Sequence, residues 1–159
     1  MAQTQQYLCE VFPQEILDMI YSKIKLNVGL MGAPGVGKTN LINRILDQPF
    51  EKKYNPTQGI EITDGETFKF FDFAGQEMYG DFDQEIIDSL DICIIVYDVT
   101  SKISKNQIKK WKNKLNPKTK IIIVGNKIDM KPKQKIDSDV ISCRNKINLE
   151  FLVKKLVIV

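Results

Sequence analysis

The sequence predicts an α/β fold: a mostly parallel six-stranded sheet flanked by helices, with one antiparallel edge hairpin. Two observations carry this expectation. Strand-sized apolar runs alternate with stretches of helical period, which in a chain of 159 residues points to a single α/β domain. Asp64-Gly65 lies between the second and third of these runs, a short-range hairpin signal that makes that pair antiparallel.

Taken in order, Pro13 opens a helical pattern with Ile16, Leu17, Ile20 and Ile24 on one side and Glu15 and Asp18 on the other. Residues 1–24 are therefore expected to form a helical extension docked on a domain spanning 25–159. Strands are expected at Leu26–Met31, Gly59–Ile62, Thr67–Phe73, Ile92–Asp98, Lys120–Gly125 and Val140–Ile141. An amphipathic helix is expected over Leu41–Leu46. Another is expected over Ser104–Leu115, where Ile108, Trp111 and Leu115 form a core-facing stripe beneath a solvated lysine face. Leu149, Leu152, Val153 and Leu156 keep the same period and predict a packing helix at the C-terminal end.

Composition removes several classes of chemistry. The absence of histidine excludes a Ser-His-Asp triad, a Cys-His dyad and any histidine-ligated metal. Cys9, Cys93 and Cys143 are dispersed and odd in number, which suits a reducing compartment rather than a disulfide framework. The formal charge is +3, and Arg44 and Arg144 are the only arginines. Lysine is poorly suited to bidentate reading of bases, so no nucleic-acid partner is expected. No secretory signal, membrane-spanning run or lipidation site is recognised, so a cytoplasmic protein without a stable membrane anchor is expected.

Three segments carry chemistry. Gly32-Ala33-Pro34-Gly35-Val36-Gly37-Lys38-Thr39 matches G-x-x-x-x-G-K-[ST] between a predicted strand and a predicted helix, the context that a phosphate-binding loop requires. Its glycines let successive N–H groups face a phosphate, Lys38 would reach the outer phosphates, and the Thr39 hydroxyl would hold Mg²⁺. Asn126-Lys127-Ile128-Asp129 follows another apolar strand, at the sheet edge where such folds place ligands. A carboxylate there accepts from guanine N1–H and its N2 amine, whereas adenine offers an acceptor at N1 and no N2 amine. Phe71-Asp72-Phe73-Ala74-Gly75-Gln76-Glu77 ends a third strand. Asp72 would support the Mg²⁺, the Gly75 N–H can approach a γ-phosphate, and Gln76 can orient an attacking water.

In this order the three segments resemble the small GTPases of the Ras superfamily over roughly Lys25 to Leu156, and a P-loop small G-domain is the fold implied. Ile95-Val96-Tyr97-Asp98-Val99-Thr100 and Gln107-Ile108-Lys109-Lys110-Trp111 look most similar to Rab-type members. The resemblance extends to Phe50–Thr57: it implies that Phe50 packs against guanine, Tyr54 covers the phosphates, and Thr57 coordinates Mg²⁺. Ser142-Cys143-Arg144 resembles the last guanine element, in which the middle N–H meets the base. The implied nucleotide-binding set is Gly32, Pro34, Gly35, Val36, Gly37, Lys38, Thr39, Asn40, Phe50, Tyr54, Thr57, Gly75, Asn126, Lys127, Asp129, Ser142, Cys143 and Arg144. Thr39, Thr57 and Asp72 would serve Mg²⁺, and Gln76 and Lys38 would be catalytic. The implied function is a GTP/GDP switch with slow hydrolysis, in vesicle traffic or signalling. The implied partners are effectors bound through 50–59 and 75–83, an exchange factor and a GTPase-activating protein, with the chain itself a monomer.

The sequence also departs from the family. Thr57 and Asp72 are only 15 positions apart, which shortens the hairpin. Between Asp129 and Ser142, Met130–Ile141 includes Pro132 and is too short for the usual helix, loops and strand. Pro34 replaces a glycine and narrows the space where an arginine from a partner would enter. These departures motivate a second reading, a GTP-binding decoy or scaffold that does not hydrolyse.

Overall fold

The computed structural model describes Pro13, 25–75, 84–132 and 135–158. Its strands are β1 (Leu26–Met31), β2 (Ile60–Asp64), β3 (Phe68–Phe73), β4 (Ile92–Asp98), β5 (Lys120–Asn126) and β6 (Asp139–Val140). Its helices are α1 (Lys38–Ile45), α2 (Gln84–Asp88), α3 (Lys102–Asn106), α4 (Ile108–Lys112) and α5 (Leu149–Val157). The helix expected from Pro13 lies outside the described residues.

The six strands form one sheet in the order β2-β3-β1-β4-β5-β6, parallel except for β2 against β3. This is the expected α/β sheet with one antiparallel edge pair. β1, β3, β4 and β5 run parallel, so their carboxyl ends share one rim, and chain order turns at β1, the position where open α/β sheets bind ligands.

Side-chain parity explains why both faces of the sheet are dry. Val28, Leu30, Phe68, Phe70, Ile92, Ile94, Ile122 and Val124 point to one face and pack beneath Leu41, Ile42 and Ile45 of α1 and Leu152, Val153 and Leu156 of α5. Phe71, Phe73, Cys93 and Ile95 point to the other and meet Ile87 of α2 and Trp111 of α4. Each fully buried aliphatic side chain contributes about 1.5–3 kcal/mol, so the three of α5 hold that helix without help from a terminal cap.

The expected antiparallel pair turns through Gly65, Glu66 and Thr67, with the Gly65 N–H donating to Phe68 O at 2.9 Å. Two local expectations need correction. The continuous Ser104–Leu115 helix is instead α3 and α4, divided at Gln107. Ser101 caps the start by accepting from the Ser104 N–H, while the buried Ser104 hydroxyl donates back to Ser101 O at 2.8 Å and competes with the helical ladder. The Lys110 N–H donates to Gln107 O three residues back at 3.0 Å, a tightened turn. β6 begins one residue earlier than predicted, and among the described residues between β5 and β6 there is no helix.

Candidate nucleotide-binding site

The loop from β1 into α1 is built around two glycines that leave no room for a side chain as the structure stands. At Gly32 a Cβ would lie 2.1 Å from Val96 O, and at Gly37, with φ 101°, it would lie 2.3 Å from Asn126 Nδ2. Val36 turns inward and joins the core, which pins the loop from beneath. Lys38 opens α1, and its buried Nζ donates to Gly32 O at 3.0 Å and Ala33 O at 3.1 Å. Burial lowers its pKa to about 8, with the nearby Asp72 charge pulling the other way. A cation held at the lip of a glycine loop, at a helix N-terminus, is a receptor for phosphate.

Beside the lysine three oxygen side chains converge. Thr39 Oγ1 donates to Asp72 Oδ2 at 2.5 Å and stands 3.3 Å from Thr57 Oγ1, which itself donates to Asp72 Oδ2 at 3.4 Å. Asp72 ends β3 and is buried. Desolvation raises its pKa, while the Thr39 hydroxyl and the Lys38 charge oppose the rise. Its other oxygen, Oδ1, is buried without a hydrogen-bond partner. A buried carboxylate oxygen left unpaired beside two hydroxyls is the hard, oxygen-only donor set that Mg²⁺ takes alongside phosphate and water.

The third component comes from the end of β5 and the turn after β6. The buried Asn126 donates through Nδ2 to Val36 O at 2.9 Å and accepts at Oδ1 from the Cys143 N–H at 3.2 Å, joining the glycine loop to the last loop. Lys127, at φ 69°, donates to Gly35 O at 2.8 Å and to Asp98 Oδ2 at 2.7 Å. Asp129 Oδ1 accepts from the Ser142 hydroxyl at 2.5 Å, and Ser142 Oγ accepts from the Asn145 N–H at 3.0 Å. This network orients the Asp129 carboxylate at the rim.

These parts surround one cavity of about 290 Å³. Of the predicted residues, Pro34, Gly35, Gly37, Lys38, Thr39, Asn40, Phe50, Tyr54, Thr57, Gly75, Asn126, Lys127, Asp129, Cys143 and Arg144 line it. Gly32, Val36, Asp72 and Ser142 stand behind the lining and support it. Gly75 presses on the loop: a Cβ there would meet Pro34 N at 2.3 Å. Gln76 lies outside the described residues.

Two of these residues also have protein partners that the sequence did not indicate. The Asn40 side chain donates to Glu51 O at 3.1 Å and accepts from the Glu51 N–H at 2.7 Å, so it clamps the segment after Phe50. The Cys143 N–H, expected to meet a base, is directed at Asn126 Oδ1 because that side chain crosses between the two loops. Sequence reasoning also missed Arg44. It donates to Cys143 O at 2.7 Å and Arg144 O at 3.3 Å, and its guanidinium stands 5.6 Å from the Phe50 ring centre. Asp98 and the cavity residues Glu51, Lys52, Lys53, Asn55, Pro56 and Met130 were missed as well. An arginine on the helix after a phosphate loop was a visible signal; the Asp98 contact had none.

Comparison with known proteins bears on the family of the chain. A sequence model of the Ras family matches residues 27–153. The chain is 34% identical over 131 aligned positions to the Ypt/Rab-type GTPase YPT7 of Saccharomyces cerevisiae, covering 72% of this chain and 63% of the yeast protein. It is 28% identical over 148 positions to the Ypt/Rab-type GTPase avaA of Emericella nidulans and, to the same extent, to the Ypt/Rab-type GTPase Rab7 of Neurospora crassa, covering 81% of this chain and 72% of each relative. The chain thus spans less than two-thirds of the yeast relative's length.

Proposed function

The chain belongs to the Ras family, and from that premise we propose that it is a Rab-like switch that binds GTP or GDP with Mg²⁺ and hydrolyses GTP slowly, in vesicle traffic or signalling. The observation that carries this reading is one cavity lined by a phosphate loop with its lysine, a threonine pair backed by an aspartate, and an asparagine–lysine–aspartate rim. Asp129 would select guanine by accepting from its N1–H and exocyclic amine.

Thr39, Thr57 and Asp72 are the residues that would hold Mg²⁺, and the unpaired Asp72 oxygen supports that assignment. When bound, Mg²⁺ neutralises charge on the phosphate oxygens. The chain's own groups do the remaining work. Lys38 sets a positive charge against the outer phosphates below about pH 8, and the Gly75 backbone lies against the loop at Pro34. Gln76 would orient the attacking water. Arg44 is occupied with the carbonyls of Cys143 and Arg144, so it supplies no charge at the phosphates, which supports slow unaided turnover. Pro34, exposed at the mouth, would hinder an arginine supplied by a partner.

The same proposal includes effectors on 50–59 and 75–83, an exchange factor, a GTPase-activating protein, a cytoplasmic monomer, and residues 1–24 as an extension of a 25–159 domain. Among the described residues no helix is long and apolar enough to cross a membrane. The competing reading is a non-hydrolysing decoy, favoured by the absence of a helix among the described residues between β5 and β6. A single-turnover GTP hydrolysis assay with Mg²⁺ separates the two. Slow phosphate release, slowed further by Gln76→Leu with GTP affinity nearly intact, is expected. No release from the wild type would leave the decoy, and an unchanged rate in Gln76→Leu would remove Gln76 from the mechanism.

A further inference from the structure

Lys127 is held in a conformation it would not adopt unaided. Its φ of 69° belongs to the left-handed region, which is unfavourable for a residue with a Cβ and persists only where the surroundings impose it. Its side chain is fixed at two points: Nζ donates to Gly35 O at 2.8 Å and to Asp98 Oδ2 at 2.7 Å. Without the second, the ammonium would have a single carbonyl to bind and a free path to solvent.

Asp98 is suited to hold it. The carboxylate ends β4 and is itself fixed, because its other oxygen accepts from the Thr100 N–H at 2.8 Å and the Thr100 hydroxyl at 2.6 Å. Its own N–H donates to Ser104 Oγ at 3.0 Å, which ties it to α3. Burial raises the carboxyl's pKa, but the hydrogen bonds from Lys127 and Thr100 outweigh it and hold the group below the usual carboxylate range. The pair is also sheltered, with Asp98 only 13% exposed, whereas Asp64 and Asp137 are 61% and 65% exposed in their own lysine pairs. Exposed pairs contribute little, and a sheltered pair with a pre-oriented acceptor is the one able to fix a side chain.

We infer that Asp98 is a positioning residue for nucleotide retention: it does not line the cavity but locks Lys127 across Gly35, so that the rim and the phosphate loop open together or not at all. This rests on the guanine-nucleotide reading above. It makes the last residue of β4, outside the cavity lining, a determinant of how long nucleotide stays bound.

The test is the release of a fluorescent GDP analogue, chased with unlabelled GDP in Mg²⁺ buffer, using the full chain. Asp98→Asn is expected to speed release about tenfold, the scale of one charge-assisted hydrogen bond, while the association rate changes little. Thr100→Val, which removes one donor to Asp98 and leaves the ion pair, should speed release two- to threefold (on the order of half such a bond) and serves if Asp98→Asn does not fold. Asp137→Asn removes the same charge from a surface pair and should leave release unchanged. Ile87→Val, a core deletion on the far face of the sheet, controls for general loosening and should also leave release near wild type. If Asp98→Asn releases no faster than wild type or than Ile87→Val, Asp98 has no positioning role. If the variant cannot be made and Thr100→Val matches wild type, the inference fails equally. A wild-type chain that does not retain GDP overturns the nucleotide reading itself, and this inference with it.

Discussion

Gly37→Ala should be among the most damaging single-methyl additions in this protein, and its cost can be assembled from the geometry. The backbone at Gly37 has φ 101°, which costs an alanine about 1–2 kcal/mol. The new Cβ would stand 2.3 Å from Asn126 Nδ2, so the amide must leave its seat. In leaving, it gives up the bond to Val36 O at 2.9 Å and the bond from the Cys143 N–H at 3.2 Å, each of net value about 1 kcal/mol. The sum is about 3–4 kcal/mol. At about 2–4 °C per kcal/mol for a domain of this size, the melting temperature should fall by about 10 °C. Gly35→Ala is the matched control: φ there is 73°, but a Cβ meets nothing within 4 Å, so only conformational strain of about 1–2 kcal/mol applies. Circular-dichroism melts of both variants, with and without GDP and Mg²⁺, compare the two. Equal melting temperatures for Gly37→Ala and Gly35→Ala would refute the claim that Asn126 couples the loops.

Other outcomes follow from individual groups. Lys38 releases its proton at about 8 in the fold and at 10.5 when unfolded, so the unfolded chain binds more protons between those values and stability rises with pH across that window, by about 3 kcal/mol in all. Urea titrations from pH 7.5 to 10.5 should show this rise in the wild type and a flatter line in Lys38→Met; parallel lines would contradict it. Asp129→Asn should weaken GTP binding by a few kcal/mol (about the value of a pair of charged hydrogen bonds), and calorimetry giving the wild type equal affinity for ATP and GTP would end the guanine assignment. The purified chain should not sediment with anionic liposomes at ~0.15 M salt, because lysines without inserted apolar groups are screened there; robust GTP-dependent sedimentation would instead make the Pro13–Ile24 segment a membrane helix.

The amino-acid sequence by itself determined the sheet, its antiparallel pair and the glycine loop, and it pointed to fifteen of the residues that line the cavity. Those features are local. Apolar parity along Phe68–Phe73 and Ile92–Asp98 dictates which side chains enter each core, and Gly32, Gly35 and Gly37 permit a curl that other residues resist. Only the tertiary structure decided how polar groups pair across the rim. Asp72 and Thr57 are brought to Thr39 by β3 and the segment before β2, and nothing in the spacing orders the two threonine hydroxyls about the carboxylate. Asn40 turns to Glu51, Arg44 spans to the loop after β6, and Asp98 reaches Lys127, each because a neighbouring element leaves that donor or acceptor within about 3 Å. At Gln107, where the lysine-rich helix divides, the Lys110 N–H turns back three residues to Gln107 O at 3.0 Å, a tightening that the apolar period does not record. Periodicity records which way a side chain points, whereas the partner of a buried polar group is set by whatever the fold packs against it.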